Sequence, residues 1–197
     1  MKIAQTVLKE LSSDVSKLDE LLELDPQLVL VFGYTEHFAN ASLHQALRQR
    51  FPNAQCVGCT TAGEIAPSGV VNHTTVVTAI RFEHTQFTVA TAPIESMEKS
   101  FEAGAALASQ LKSDGLKAVL VLGQGVAING SGMIDGMVSV LGASMPITGG
   151  LAGDDGAFVK TYTLSNQAVT TDHIVGIGFK GEKVMLSHGS CGGWKLF

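Results

Sequence analysis

Short hydrophobic runs alternate with amphipathic segments along the chain, which predicts an α/β fold. Residues 28–32 and 118–122 are continuous apolar runs of strand length, and each is followed by a glycine. Such runs are typical of strands that are buried on both faces. Apolar residues recur at helical spacing in four other segments. The predicted helices lie at residues 13–24, 43–51, 100–111 and 133–141.

Further strands are predicted where valine, isoleucine, threonine and phenylalanine accumulate. Residues 74–82 and 87–94 should form the two strands of a hairpin, and residues 174–179 and 184–189 should form the last two strands. Each half of the chain thus contains a buried strand, a helix, a glycine turn and a pair of strands.

The two halves of the chain resemble each other in sequence as well as in element order. A shift of roughly 90 residues places LVLVFG (28–33) on AVLVLG (118–123) and VGCTTAGE (57–64) on ITGGLAGD (147–154). This period is too long for a solenoid repeat, whose units span roughly 20–50 residues. We predict two tandem copies of a βα-plus-hairpin unit that form mixed sheets packed with helices. The alternative is two unrelated units with similar strand composition.

These copies define the predicted organisation of the chain. An N-terminal helical segment at residues 1–27 should pack on the first repeat, at residues 28–95, and the second repeat should follow at residues 96–197. The parts should together form one domain, because a chain of 197 residues can bury a large core without disulfide or metal staples.

Composition and charge narrow the classes of function. Hydrophobic residues make up 45% of the chain, as in globular proteins. Lys and Arg number 13 against 18 Asp and Glu, without a basic stripe, which argues against nucleic acid as a partner. No apolar run approaches the roughly 20 residues of a membrane span, and no signal-peptide pattern is present. Three cysteines without an export signal indicate reduced thiols and a cytoplasmic location.

Two glycine turns, at residues 59–64 and 149–155, are the strongest candidates for a binding site. Each follows an apolar strand, and glycine permits the positive φ angles and close backbone approach of such turns. Successive free N–H groups can hold an anion while neighbouring carboxylates hold an ammonium, so the turns suit a zwitterion. Tight turns without a ligand are the alternative. The candidate ligand-binding residues are Cys59, Thr60, Thr61, Gly63, Glu64, Gly149, Gly150, Gly153, Asp154 and Asp155.

Other chemistry has little support in the sequence. No P-loop or dinucleotide-binding glycine motif is present. Cys56 and Cys59 flank a predicted strand, which favours buried thiols over a redox pair. No nucleophile elbow or paired-carboxylate arrangement is visible, so we expect a binding protein and not an enzyme. His37 and His188 are candidate haem ligands, and no metal site or other cofactor is expected.

Several motifs resemble the FIST sensory domain, specifically its N-terminal portion. They are VGCTTAGEI at 57–65, Ser68-Gly69-Val70, ITGGLAGDD at 147–155, Phe158, Thr161-Tyr162 and the closing segment at 189–194. The resemblance implies a bacterial signal-transduction input module that senses a small ligand, with amino acids as proposed ligands. Such modules occur alone or joined to output domains such as histidine kinases, cyclic-dinucleotide enzymes and chemotaxis receptors. Some similar proteins contain haem and sense nitric oxide.

The sequence thus favours a cytoplasmic sensory domain that binds a small polar ligand such as an amino acid. It would signal through a partner protein such as a histidine kinase or a cyclic-dinucleotide enzyme. The alternative is a haem-binding nitric oxide sensor that regulates a histidine kinase. In the family that these motifs resemble, a further C-terminal FIST portion normally follows the GGW region at 192–194. A ligand site shared with that portion would require both portions.

Overall fold

The computed structural model describes residues 1–187 and contains two main sheets and one short hairpin over that range. The strands are β1 (Lys2–Leu8), β2 (Leu28–Gly33), β3 (Gln55–Thr60), β4 (Glu64–Ala66), β5 (Gly69–Val71), β6 (Thr75–Arg81), β7 (Gln86–Pro93), β8 (Leu116–Gly123), β9 (Ile147–Leu151), β10 (Thr163–Leu164), β11 (Val169–Thr170) and β12 (His173–Lys180). The helices are α1 (Leu11–Asp14), α2 (Thr35–Ala39), α3 (Ala41–Arg50), α4 (Ser100–Leu111) and α5 (Gly130–Leu141), with 3₁₀ segments at Val15–Leu24 and Met97–Lys99.

Both main sheets are built around a parallel pair of strands. The first sheet has the order β1-β6-β2-β3-β10-β11, in which β2 and β3 are parallel and β6 is antiparallel to both β1 and β2. The second has the order β7-β12-β8-β9, in which β8 and β9 are parallel and β12 is antiparallel to both β7 and β8. The predicted mixed α/β class is therefore confirmed, whereas the duplication itself stays a prediction.

The two main sheets pack face to face, with helices on their outer faces. Val57 and Ile80 of the first sheet join Leu122, Val175 and Ile177 of the second in one buried cluster. A second cluster lies between the first sheet, α3 and the longer 3₁₀ segment, and a third lies between the second sheet, α4 and α5. The side chains alternate between these clusters because successive residues of a strand point to opposite faces.

Helices α4 and α5 approach each other closely at two glycines. A Cβ on Gly104 would lie 2.0 Å from the carbonyl oxygen of Met133, and a Cβ on Gly136 would lie 2.0 Å from that of Phe101. These distances leave no room for a side chain at either position. No helix within residues 1–187 combines the length and apolarity that a membrane crossing requires.

The predicted hairpin of residues 74–82 and 87–94 is wrong, although both strands exist. β6 pairs with β1 and β2, whereas β7 pairs with β12 in the other sheet. The short link between them carries the chain from one sheet to the other. Phe82 and Phe87 lie on either side of this link, and their ring centroids are 5.6 Å apart beside the cluster between the sheets. Burial of these rings is compatible with a crossover and does not require a hairpin.

The ends of the chain also depart from the predicted elements. Residues 2–8, assigned to an N-terminal helical segment, form strand β1 at the edge of the first sheet. In place of one helix at residues 13–24, one turn of α-helix at Leu11–Asp14 is followed by 3₁₀ helix at Val15–Leu24. Of the strand predicted at 184–189, residues 184–187 are not a strand, and the rest lies outside the described residues, as does the closing segment at 189–194.

Candidate functional site

The two predicted glycine turns touch each other at the carboxyl ends of the parallel strands. The N–H of Gly153 donates to the carbonyl of Thr60 over 2.9 Å. A Cβ on Gly153 would lie 2.9 Å from the nitrogen of Ala62, so the close approach requires glycine. In α/β proteins, the region outside the carboxyl ends of parallel strands is a favoured position for ligands. The structure thus brings residues more than 90 positions apart in sequence to one edge.

Cys59 and Thr60 belong to the buried part of strand β3. The N–H of Thr60 donates to the carbonyl of Tyr162 over 3.0 Å, and its hydroxyl accepts from the N–H of Tyr162 over 3.1 Å. Burial raises the pKa of the Cys59 thiol to about 12, and burial likewise raises that of Cys56 to about 12. Cys59 lies in the cluster between the sheets, whereas Cys56 lies in the cluster beneath α3, and neither faces solvent.

A buried carboxylate lies at the start of β4, directly after the first glycine turn. Glu64 is 1% exposed. Its Oε1 accepts from the Thr61 hydroxyl over 2.9 Å, and its Oε2 accepts from the N–H and the hydroxyl of Thr74 over 3.1 and 2.9 Å. Gly63 has a φ of 125°, which turns the chain between Thr61 and Glu64. Within residues 1–187, no lysine, arginine or histidine forms an ion pair with Glu64.

An open groove, which we call the apolar groove, lies over this carboxylate. Its apolar side chains are Phe32, Ile65 and Val76. Its volume is about 360 Å³ and it is partly open to solvent, and small-molecule sites typically span roughly 300–1,000 Å³. The complete lining is Gln5, Phe32, Thr61, Gly63, Glu64, Ile65, Val76 and Thr78.

The Asp154 carboxylate accepts hydrogen bonds from the backbone of its own loop. Its Oδ1 accepts from the N–H of Phe158 over 3.0 Å, and its Oδ2 accepts from those of Val159 and Lys160 over 2.7 and 3.0 Å. The N–H of Val159 contributes most to holding the pKa of Asp154 below its ordinary value. Three backbone donors already occupy this carboxylate, so its role in the structure is to order residues 154–160.

A separate polar surface surrounds Asp155. The Oδ2 of Asp155 lies 3.2 Å from the Nε2 of His73, and both side chains are exposed. The ring of Tyr34 lies against that of His73, with 4.6 Å between centroids, and the Tyr34 hydroxyl donates to Glu36 over 3.2 Å. Tyr34, Glu36 and Asp155 line one depression with the loop that Asp154 orders. This depression is distinct from the apolar groove.

Gly149 and Gly150 lie away from both of these surfaces. They belong to β9 at the edge of the second sheet and line a groove with Met133 and Leu151. Gly149 has a φ of 138°, and a Cβ there would lie 1.8 Å from the carbonyl oxygen of Val121. The ten candidate residues are therefore divided among three concave surfaces and the buried junction.

The two haem-ligand candidates receive no support from the site geometry. The Nδ1 of His37 lies 2.8 Å from the Thr75 hydroxyl, and the side chain is half-buried. Burial lowers the pKa of His37, but the residue does not line the apolar groove. His188 lies outside the described residues. Within residues 1–187, no group of three or more His, Cys, Asp or Glu side chains is arranged to hold a metal ion.

Sequence reasoning did not find the residues that complete the apolar groove. Gln5, Phe32, Val76 and Thr78 come from β1, β2 and β6, which are distant in sequence. Phe32 and Val76 read only as core residues, and no local motif marks any of the four. Only the register of the sheet, which places Val76 opposite Phe32, brings them together.

Comparison with known proteins identifies the family. The FIST N domain model matches residues 27–197. Among solved structures, the chain is similar to cyanuric acid hydrolase from A. caulinodans, with 11% sequence identity and a TM-score of 0.45 over 91% of this chain and 67% of that one. No curated protein sequence matches the chain. Since the family model covers most of its length, the chain belongs to the FIST family as a FIST N domain, a sensory module of signal transduction.

Proposed function

We propose that this FIST N domain senses a small polar ligand, such as an amino acid, at the carboxyl ends of β2 and β3. The single observation that carries the proposal is the buried Glu64 carboxylate beneath the apolar groove, without an ion-pair partner within residues 1–187. Buried charges in proteins are usually paired because desolvation is costly. A ligand ammonium group would supply the missing positive charge.

The hydrogen bonds around Glu64 prepare it for such a ligand. Thr61 and Thr74 hold the carboxylate in one orientation through three donors. A carboxylate that is already oriented loses little conformational freedom when a ligand binds. Thr61, Gly63 and Glu64 are the candidate residues that line the groove. In this proposal Gly153 and Asp154 act indirectly, by joining the turns and ordering the neighbouring loop.

The signalling output is part of the proposal. A change at the ligand site would pass to a partner protein, such as a histidine kinase or a cyclic-dinucleotide enzyme, in the cytoplasm. The family membership supports signalling, and the exposed apolar side chains of Phe158 and Val159 offer one surface for contact. We expect the domain to act by binding and not by catalysis, in keeping with the sensory role of the family.

Isothermal titration calorimetry with a panel of amino acids tests the proposal. We expect at least one amino acid to release heat with the unmodified protein, and Glu64→Gln to weaken that binding about tenfold or more. Glu182→Gln, which removes an exposed carboxylate far along the chain, is the matched control and should bind normally. The absence of heat from every amino acid, or equal binding by Glu64→Gln, would contradict the proposal.

A further inference from the structure

We infer that the apolar groove selects an amine with an apolar body over a zwitterionic amino acid. The inference rests on the proposed function, because it names the class of ligand taken by the same site. Three features carry it: the side chains of the walls, the position of the one charged group, and the absence of a basic residue from the lining.

The walls of the groove suit a hydrocarbon body. Phe32, Ile65 and Val76 line the groove. Ile65 is 78% exposed although it is a large aliphatic residue, whereas Val76 is 2% exposed. The two polar side chains of the wall are hydrogen-bonded to each other: the Gln5 amide donates to the Thr78 hydroxyl over 2.8 Å. Exposed apolar surface in a groove is a common sign of a binding site. A ligand with an apolar body would cover Ile65 and remove it from water.

The floor of the groove suits a positive group. The Oε1 of Glu64 has one donor, the Thr61 hydroxyl, whereas its Oε2 has two donors from Thr74. Each carboxylate oxygen can accept about two hydrogen bonds, so Oε1 has capacity for one more. The oxygen of the Thr61 hydroxyl can also accept. An ammonium group has three donors and can satisfy both acceptors at once.

The same floor disfavours a negative group. None of the eight lining residues is Lys, Arg or His, so a ligand carboxylate would enter the groove without a countercharge. It would also lie near the carboxylate of Glu64. Like charges repel each other, and more strongly beside a buried group such as Glu64 than in open solvent. The ammonium group of an amino acid therefore strengthens its binding, whereas its carboxylate weakens it. The corresponding amine has only the favourable group.

Three probes test this inference, and two of them each lack one charged group of the third. They are 2-phenylethylamine, L-phenylalanine and 3-phenylpropionate, titrated calorimetrically into the full chain. We expect 2-phenylethylamine to bind about tenfold or more tightly than L-phenylalanine, and 3-phenylpropionate to give no heat. Glu64→Gln should weaken the binding of the amine about tenfold or more.

A second pair of variants keeps the test valid if Glu64→Gln folds poorly. Gln5→Trp places a large side chain in the groove from the edge strand β1, leaves Glu64 itself unchanged, and should abolish binding of the amine. Gln5→Ala removes the same amide but leaves the space open, so it should bind normally. Melting temperatures of all variants check that the fold is retained.

The outcomes separate this inference from the proposed function. Equal or tighter binding of L-phenylalanine would overturn the inference, as would amine binding that survives both Glu64→Gln and Gln5→Trp. If polar amino acids bind and 2-phenylethylamine does not, the inference fails while the proposed function stands. If neither the probes nor the amino acids bind, both fail.

Discussion

Gly153 and Thr60 join the two glycine turns through one backbone hydrogen bond of 2.9 Å. The bond links the end of the parallel pair in the first sheet to the end of the parallel pair in the second. It requires an approach so close that a Cβ on Gly153 would lie 2.9 Å from the backbone nitrogen of Ala62. The position of the turns relative to each other therefore depends on the lack of a side chain at residue 153.

Gly153→Ala should destabilise the fold because the backbone at Ala62 cannot move aside easily. Overpacking of this kind typically costs about 1–3 kcal/mol. Gly150→Ala is the matched control, because nothing lies within 4 Å of its Cβ position. Urea denaturation of the two variants measures the difference. Equal free energies of unfolding would show that the turns are not in contact as described.

Asp154→Ala should loosen residues 154–160 without unfolding the domain. The backbone N–H groups of Phe158, Val159 and Lys160 would lose their common acceptor. Amide signals of these residues, followed by ¹H–¹⁵N NMR, should shift toward disordered values. Asp155→Ala should leave the same amides in place, because the Asp155 side chain is hydrogen-bonded to the exposed ring of His73 and accepts from none of these three amides.

The same loop should depend on pH in the unmodified protein. The pKa of Asp154 is lowered from 3.8, chiefly by the N–H of Val159. The stabilisation is therefore complete above about pH 3.8 and is lost as the pH falls through the lower pKa of the folded state. The NMR signals of Val159 and Lys160 should titrate below pH 3.8. Titration above that value would contradict the hydrogen bonds assigned to Asp154.

Cys56 and Cys59 should not react with iodoacetamide in the native protein at neutral pH. Burial raises the pKa of both thiols from 9.0 to about 12, so the reactive thiolate is not formed. A Cys191→Ser variant restricts the experiment to these two residues, and mass spectrometry counts the modified thiols before and after denaturation. Rapid native modification of either residue would contradict its burial.

The raised pKa values of the two thiols also predict how the stability of the folded protein changes at alkaline pH. Their pKa values are higher in the folded state, so the stabilisation is present below pH 9.0 and is lost as the pH rises toward 12. Substitution of both cysteines by alanine should remove this part of the alkaline loss, as measured by melting temperature between pH 8 and 11. An unchanged pH dependence would show that other groups are responsible.

Gly104→Ala should disrupt the packing of α4 on α5. A Cβ at residue 104 would lie 2.0 Å from the carbonyl oxygen of Met133, inside a helix that cannot yield locally. We expect a loss of about 1–3 kcal/mol or more, despite the better helix propensity of alanine. Ser109→Ala, on the exposed side of α4, is the control. A stabilised Gly104→Ala variant would contradict the close approach of the helices.

Elements with local signals could be predicted from the sequence. Helix α4 begins and ends at the predicted residues, Ser100 and Leu111, because its apolar spacing lies within one segment. The strands β2 and β8 were predicted from uninterrupted apolar runs, and the glycine turns from their position after such strands. Strand β1 was missed because its sequence, KIAQTVL, mixes polar and small residues at an edge.

Which strands pair with each other in the sheets could not be predicted in the same way. Residues 75–81 carry a strand pattern whether they pair with the next strand or with β1 and β2. The choice depends on which distant strands present complementary surface, and this information is not contained in one segment. The crossing between the sheets near Phe82 was accordingly predicted as a hairpin.

The sequence by itself determined the α/β class, the buried strands and the two glycine turns, because each depends on residues close together along the chain. Only the tertiary structure decided that the turns are in contact, that Asp154 is hydrogen-bonded within its own loop, and that Glu64 lies beneath a groove. Phe32, Glu64 and Val76 meet through sheet register and the path of the chain between strands. These depend on the packing of the whole domain and not on any local pattern.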